Sequence, residues 1–110
     1  FVFVDGFLMY HNPKLLELLD IKIFLKASKE TVKKRRNERD GYVTIEGFWK
    51  DPPDYFENVV WPNYQKYHCS TSIQNIIALD TEENNIEEVL NIALIEINRA
   101  LKARFTLMHQ

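Results

Sequence analysis

The alternation of strand-like and helix-like patterns is the tightest constraint on how this chain of 110 residues can fold. Apolar, β-forming runs occur at Phe1-Val2-Phe3-Val4, at Ile21-Lys22-Ile23-Phe24-Leu25-Lys26, and from Ile73 to Leu79, where the last run ends at Asp80. Helical spacing fills the intervals. Asn12-Pro13 marks a turn before a short apolar connector, Lys14 to Leu19, and Ser28 is a suitable N-cap for a basic helix carrying Glu30 in its first turn. Phe56, Val59, Val60, Tyr64 and Tyr67 share a helical face, with Asp54 as a candidate cap and Pro62 expected to kink or split the helix. Ile86, Val89, Leu90, Ala93, Leu94, Ile97 and Leu101 form an amphipathic stripe, opened by Asn84 with Glu87 at a capping-box-like spacing. Thr106 to Gln110 are expected to fray. The order is strand, connector, strand, helix, loop, helix, strand, helix, and it predicts an α/β fold with a parallel sheet flanked by helices.

The first run admits two readings. Asp5-Gly6 between two four-residue apolar runs is a hairpin signal. Neither run alternates, however, and an unbroken apolar run also suits a strand covered on both faces. In the second reading Asp5 lies at the carboxyl end of a strand, where open α/β sheets place ligand-handling residues and where a carboxylate commonly serves Mg²⁺. The chain opens inside this apolar run, without a methionine, as a piece of a longer polypeptide would.

Chemistry concentrates in Lys33-Lys34-Arg35-Arg36-Asn37-Glu38-Arg39, five cations within seven residues. On a continuous helix Arg35 and Arg39 stack on one face, and Arg36 sits about 100° round the axis. Two arginine faces could then grip two anionic groups. A solvated basic face is the plainer alternative. The formal net charge of −2 argues against a general nucleic-acid binder, so the cations and their target are local. Residues 40–54 hold two glycines, Pro52-Pro53 and the aromatic residues Tyr42, Phe48 and Trp49. A stretch of this length without regular structure reads either as a mobile lid closing over a ligand or as a loop packed on its neighbours.

The single cysteine, Cys69, excludes an internal disulfide and suits a reducing compartment. His11, His68 and His109 lack metal-ligand spacing and read as surface or packing residues. His68 and Cys69 are adjacent, but nothing supports a thiol–imidazole couple. No apolar run approaches the roughly 18 residues of a membrane span, and no secretory leader pattern is visible. A cytosolic setting is expected, with the nucleus as a second candidate, and neither a membrane nor a nucleic acid as partner.

Together, Val4-Asp5-Gly6-Phe7-Leu8, the basic run, Asp51-Pro52-Pro53-Asp54-Tyr55-Phe56 and Val60-Trp61-Pro62-Asn63-Tyr64-Gln65-Lys66-Tyr67 resemble, in order and spacing, the carboxyl-terminal half of nicotinamide riboside kinases. The likeness runs from Phe1 to about Asn84; uridine kinases and other P-loop nucleoside kinases are similar at greater distance. The resemblance implies one P-loop kinase domain of which residues 1–110 form the carboxyl-terminal portion, with a lid at about 40–54. It implies transfer of the ATP γ-phosphoryl to the ribose 5′-hydroxyl of nicotinamide riboside, with Mg²⁺. By position, Arg36 would face the riboside, Arg35 and Arg39 the ATP phosphates, Tyr42 the lid over ATP, Asp5 the metal, and Glu83 and Asn84 the adenine. No G-x-x-x-x-G-K-[ST] occurs, since the three glycines are Gly6, Gly41 and Gly47. The family's phosphate loop, catalytic aspartate and a central strand would all lie upstream, and the isolated chain is expected to be inactive. A uridine or related nucleoside kinase, and a non-catalytic module docking an acidic or phosphorylated partner, remain the alternatives.

Overall fold

The computed structural model describes residues 1–68 and 73–109. It is an α/β structure. β1 (Lys22–Lys26) pairs in parallel with β4 (Ile76–Asp80), in a register that sets Lys22 opposite Ile76, Phe24 opposite Ala78 and Lys26 opposite Asp80. Between them in sequence come α2 (Lys29–Glu38), an antiparallel hairpin of β2 (Tyr42–Thr44) and β3 (Gly47–Trp49), and α3 (Trp61–Tyr67). A short α1 (Pro13–Leu18) precedes β1, and α4 (Ile86–Met108) follows β4. The chain divides into two compact units, one of Phe1–Leu18 with Lys29–Ile73, the other of Leu19–Ser28 with Gln74–Gln110.

In the second unit the carboxyl ends of the two strands are tied by side chains. The Thr81 N–H and hydroxyl both donate to the Lys26 carbonyl, at 3.0 and 2.9 Å. The Ser28 N–H and hydroxyl both donate to the Glu82 carboxylate, at 2.7 and 2.9 Å. These bonds continue the pairing where the strand ladder stops. Leu79 on β4 is only 4% exposed, and α4 packs on this strand. β4 starts later than the apolar pattern predicts, because Asn75 adopts a left-handed conformation (φ 58°) that ends extended backbone and that asparagine tolerates.

α4 also starts one residue later than its sequence spacing suggests. The side chain of Asn84 is taken by the Asp80 carbonyl (3.0 Å), and the N–H groups of Glu82 and Glu83 both donate to Asp80 Oδ1, so this stretch is a turn. The capping box is therefore Asn85 with Glu88: the Glu88 N–H donates to Asn85 Oδ1 at 2.9 Å, and the Asn85 N–H to Glu88 Oε1 at 3.4 Å. Of the apolar stripe, Val89, Ala93, Ile97 and Leu101 are half-buried while Ile86, Leu90 and Leu94 stay exposed. The helix does not fray at Thr106 but runs to Met108, where the Thr106 hydroxyl donates to the Lys102 carbonyl. An ion pair joins Arg104 to Asp20. No helix among the described residues is long and apolar enough to cross a membrane.

In the first unit Phe1 to Val4 form neither a strand nor one arm of a hairpin. They have no regular structure and are open to solvent, with Phe1 fully exposed. An apolar run becomes a strand only when a neighbour accepts its hydrogen bonds, and among the described residues β1 pairs with β4 alone. Asn12 caps α1 by accepting the Lys14 and Leu15 N–H groups, with Pro13 in the first helical position. The split expected at Pro62 is absent: the helical backbone is continuous through Val60 and Trp61, both in the right-handed region, and only its hydrogen-bond spacing changes. Phe56–Val60 is a π-helical turn, closed by the Trp61 N–H donating to the Phe56 carbonyl, and α3 follows with Pro62 in its first turn. The Val59 carbonyl accepts from the Asn63 side chain (2.7 Å). Of the face that helical spacing predicts, Phe56 is buried and Val60, Tyr64 and Tyr67 are half-buried, while Val59 is exposed. Phe56, Trp61, Tyr64 and His68 stack successively, with centroids 6.1, 5.1 and 5.0 Å apart. Phe56 is the most buried member at 4% exposed. Asp54 adopts a left-handed conformation (φ 62°) and accepts the Asn58 N–H through its carbonyl.

Replacing Asn85 by alanine removes one half of the α4 capping box. We expect a loss of about 1 kcal/mol, read as a lower urea midpoint, while Asn84→Ala should leave the helix start in place.

Candidate functional site

α2 is a poor packing helix, and its last turn carries Arg35 and Arg36 where the helix dipole favours cations. The helix ends at Glu38, so Arg39 does not extend its face. The chain turns instead at Gly41, whose φ of 83° lies in the left-handed region and whose N–H donates to the Arg39 carbonyl (2.8 Å). A side chain there would collide with the Phe48 ring and come within 2.9 Å of the Trp49 carbonyl oxygen. Gly41 is what lets β3 fold back on the end of α2.

Residues 40–54 therefore contain regular structure where none was expected. Tyr42 to Thr44 pair with Gly47 to Trp49, and the Thr44 hydroxyl donates to the Gly47 carbonyl across the turn. The root of this hairpin encloses a shallow pocket of about 140 Å³ lined by Arg36, Asn37, Arg39, Gly41, Tyr42, Lys50 and Asp51. Three cations and one carboxylate face it. Lys50 pairs with Asp40 at 3.2 Å, and Arg39 lies over the Tyr42 ring at 5.7 Å.

Arg36 is the most constrained of the cations. Its Nε donates to Asp51 Oδ2 at 2.5 Å and its Nη2 to Asp51 Oδ1 at 3.1 Å, a two-pronged pair that arginine's planar fork permits and lysine's ammonium does not. The Arg36 guanidinium lies over the Tyr55 ring, 5.7 Å from its centroid, and that ring meets the Trp49 ring edge-on. The Trp49 indole N–H donates to Asp51 Oδ1 at 2.7 Å. The hydrogen bonds from Arg36, against some opposing desolvation, hold the Asp51 carboxyl below its ordinary range, and the Trp49 bond adds to this. The same bond raises the Arg36 pKa. At the other end of α2, Lys29 and Lys33 both reach Glu57 at 2.9 Å, depress its pKa and fasten the helix to the π-turn.

Of the residues singled out in the sequence, Arg36, Arg39 and Tyr42 converge on this pocket, and Arg35 lies outside its lining on an exposed part of α2. Glu83 and Asn84 belong to the turn after β4, in the other unit. Asp5 is exposed in the irregular opening segment. Mg²⁺ is ordinarily held by one or two carboxylates with phosphates and water. Asp5 offers a single carboxylate, and no group of three or more His, Cys, Asp or Glu among the described residues could hold a metal ion. Asp5 thus suits only a metal that arrives with a phosphate ligand. His11 packs edge-on against Tyr67, and burial lowers the His68 pKa; Cys69 lies outside the described residues. Sequence reasoning missed Asp51 and Tyr55 as partners of Arg36, and Trp49 as a partner of Asp51. The one available signal was a carboxylate two residues past Trp49, just before a rigid Pro-Pro step.

The chain is 55% identical over 67 residues to the "Nicotinamide riboside kinase" of Schizosaccharomyces pombe, covering 61% of this chain and 29% of that protein. It is 34% identical over 110 residues to the protein of the same name from Eremothecium gossypii, covering 93% of this chain and 45% of that one. A human "Nicotinamide riboside kinase 2" is 32% identical over 103 residues, covering 92% and 42% respectively. This chain is a homologue of the nicotinamide riboside kinases. It spans less than half the length of these relatives. No protein-family model matches it, and neither does any solved structure.

Two outcomes follow for this homologue. Gly41→Ala introduces both a left-handed strain and a collision, so the amides of Tyr42 to Trp49 should lose hydrogen-exchange protection while those of α4 do not change. The depressed Asp51 pKa means that its stabilisation is in place above the unfolded value near 3.8 and is lost as pH falls through the lower folded value. Urea midpoints of wild type and Asp51→Asn should therefore differ near neutral pH and converge in strong acid.

Proposed function

We propose that this chain is the carboxyl-terminal part of an ATP-dependent nicotinamide riboside kinase, which forms nicotinamide mononucleotide for NAD synthesis in the cytosol. Homology supports the substrate class. The observation that carries the reading is the convergence of Arg36, Arg39 and Tyr42 on one cationic pocket at the root of a hairpin. Phosphoryl transfer asks a protein chiefly for positioning and for charge stabilisation of the migrating group. In this reading Arg36 contacts the riboside, Arg39 and Arg35 contact the ATP phosphates, and Tyr42 belongs to the segment covering ATP. Glu83 and Asn84, held in their turn by Asp80, lie toward the adenine. Asp5 is the residue directed to Mg²⁺, which neutralises phosphate charge when bound with ATP. The lid is then the hairpin itself, excluding water from the reacting groups. No residue of this chain is assigned as the catalytic base.

Steady-state kinetics of the complete polypeptide test the division of the arginines. Removing a charge-assisted bond costs about 1.5–3 kcal/mol, so a change of about tenfold or more is expected in the affected constant. Arg36→Ala should raise KM for nicotinamide riboside and Arg39→Ala should raise KM for ATP. Equal effects of both variants on both constants would refute the assignment.

A further inference from the structure

Asp51 carries no role in the reading above, yet it organises the pocket. A guanidinium has five N–H donors. Asp51 takes the Nε donor and one on Nη2, which leaves the distal edge, formed by Nη1 and the second Nη2 donor, for another acceptor. Asp51 therefore does not compete for the whole arginine. It occupies one edge and orients the other.

The carboxylate is itself held in place. Oδ1 also receives the Trp49 indole N–H, so one oxygen joins the last residue of β3 to the last turn of α2. Pro52 and Pro53 follow at once and fix their own φ angles, and the Tyr55 N–H closes the turn on the Pro52 carbonyl at 3.2 Å. That turn delivers the Tyr55 ring to the same guanidinium. Arg36 is thus held along one edge by Asp51 and set over the Tyr55 ring, both from a single short segment, and it lines the pocket together with Asp51. A carboxylate engaged by three donors is a weak proton acceptor, so a base role does not fit it.

We propose that Asp51 is a positioning residue: it holds Arg36 so that the distal Nη1/Nη2 edge presents a fork to an oxygen-bearing ligand, and through Trp49 it couples the hairpin to that arginine. This deepens the assignment of Arg36 to the riboside and rests on Arg36 being a ligand-binding residue. Restraining a long side chain before the ligand arrives lowers the ordering cost of binding.

The test uses the complete polypeptide with Asp51→Ala and the closer-shaped Asp51→Asn, which keeps the fold measurable if the alanine variant fails to fold. In wild type the Arg36 Nε–H should exchange slowly with solvent and the Trp49 indole resonance should report a hydrogen bond. Both signatures should be lost in Asp51→Ala and weakened in Asp51→Asn. KM for nicotinamide riboside should rise about tenfold in Asp51→Ala, with a smaller rise in Asp51→Asn and with kcat within about threefold of wild type. Loss of both resonances with an unchanged riboside KM would overturn the proposal, leaving Asp51 as an anchor of the hairpin only. An equal fall of kcat for every substrate, in step with lost stability, would overturn it as well. The kinase reading fails separately, if the wild-type polypeptide does not phosphorylate the riboside. Titration with inorganic tripolyphosphate, followed at the Arg36 Nε–H resonance, then decides: weaker binding by Asp51→Asn supports the positioning role, and equal binding refutes it.

Discussion

β1 and β4 run parallel, and a parallel pair cannot be closed by a tight turn. The chain must leave the end of the first strand and return to the start of the second. Everything chemically distinctive about the homologue, from the basic helix to the hairpin and the aromatic stack, occupies that excursion. The strands are short, at five residues each, and only Leu79 among their side chains is buried. The polar ties at their carboxyl ends gain weight accordingly. Thr81 and Ser28 add four hydrogen bonds at the point where the backbone ladder ends, and they fix where the excursion departs.

The same economy governs the pocket. A cluster of arginines repels itself and samples many rotamers, and one carboxylate corrects both faults. Asp51 neutralises one charge of three, leaves the pocket cationic, and restricts the arginine nearest to it. Arginine is the residue able to work this way, because its fork has two usable edges. A lysine at position 36 would carry the charge without the directionality.

What the sequence revealed, and what it hid, divides along the range of the interactions. β1, α2 and the body of α4 were legible because apolar periodicity and capping residues act over a few positions. The break expected at Pro62 did not form, because a proline in the first turn of a helix removes a donor that has no partner there in any case. The start of α4 was off by one residue because Asn84 and Asn85 are chemically alike, and only the competing demand of Asp80 separates them. The hairpin escaped notice because its strands have three residues each and lie open to water, so no alternating burial marks them. Phe1 to Val4 looked like a strand because their composition is that of one, but a strand is a relation between two segments. In the pocket, Arg36, Arg39 and Tyr42 stood out by residue type and by family resemblance. Asp51 did not, because its pairing with Arg36 spans fifteen positions and leaves no periodic trace.

The π-turn at Phe56 to Val60 has a consequence for how this segment can vary. Each residue of an α-helix advances the chain by about 100°, so an additional residue would ordinarily rotate everything after it out of alignment. Here the turn widens and absorbs that residue, which keeps Trp61, Tyr64 and His68 in line with Phe56. A one-residue deletion within the turn would restore a regular helix at that point and set the tryptophan four positions after Phe56, still on the same face as its buried foot. Length in this short stretch is therefore decoupled from orientation further along, and a relative lacking the extra residue keeps the same aromatic column on a regular helix.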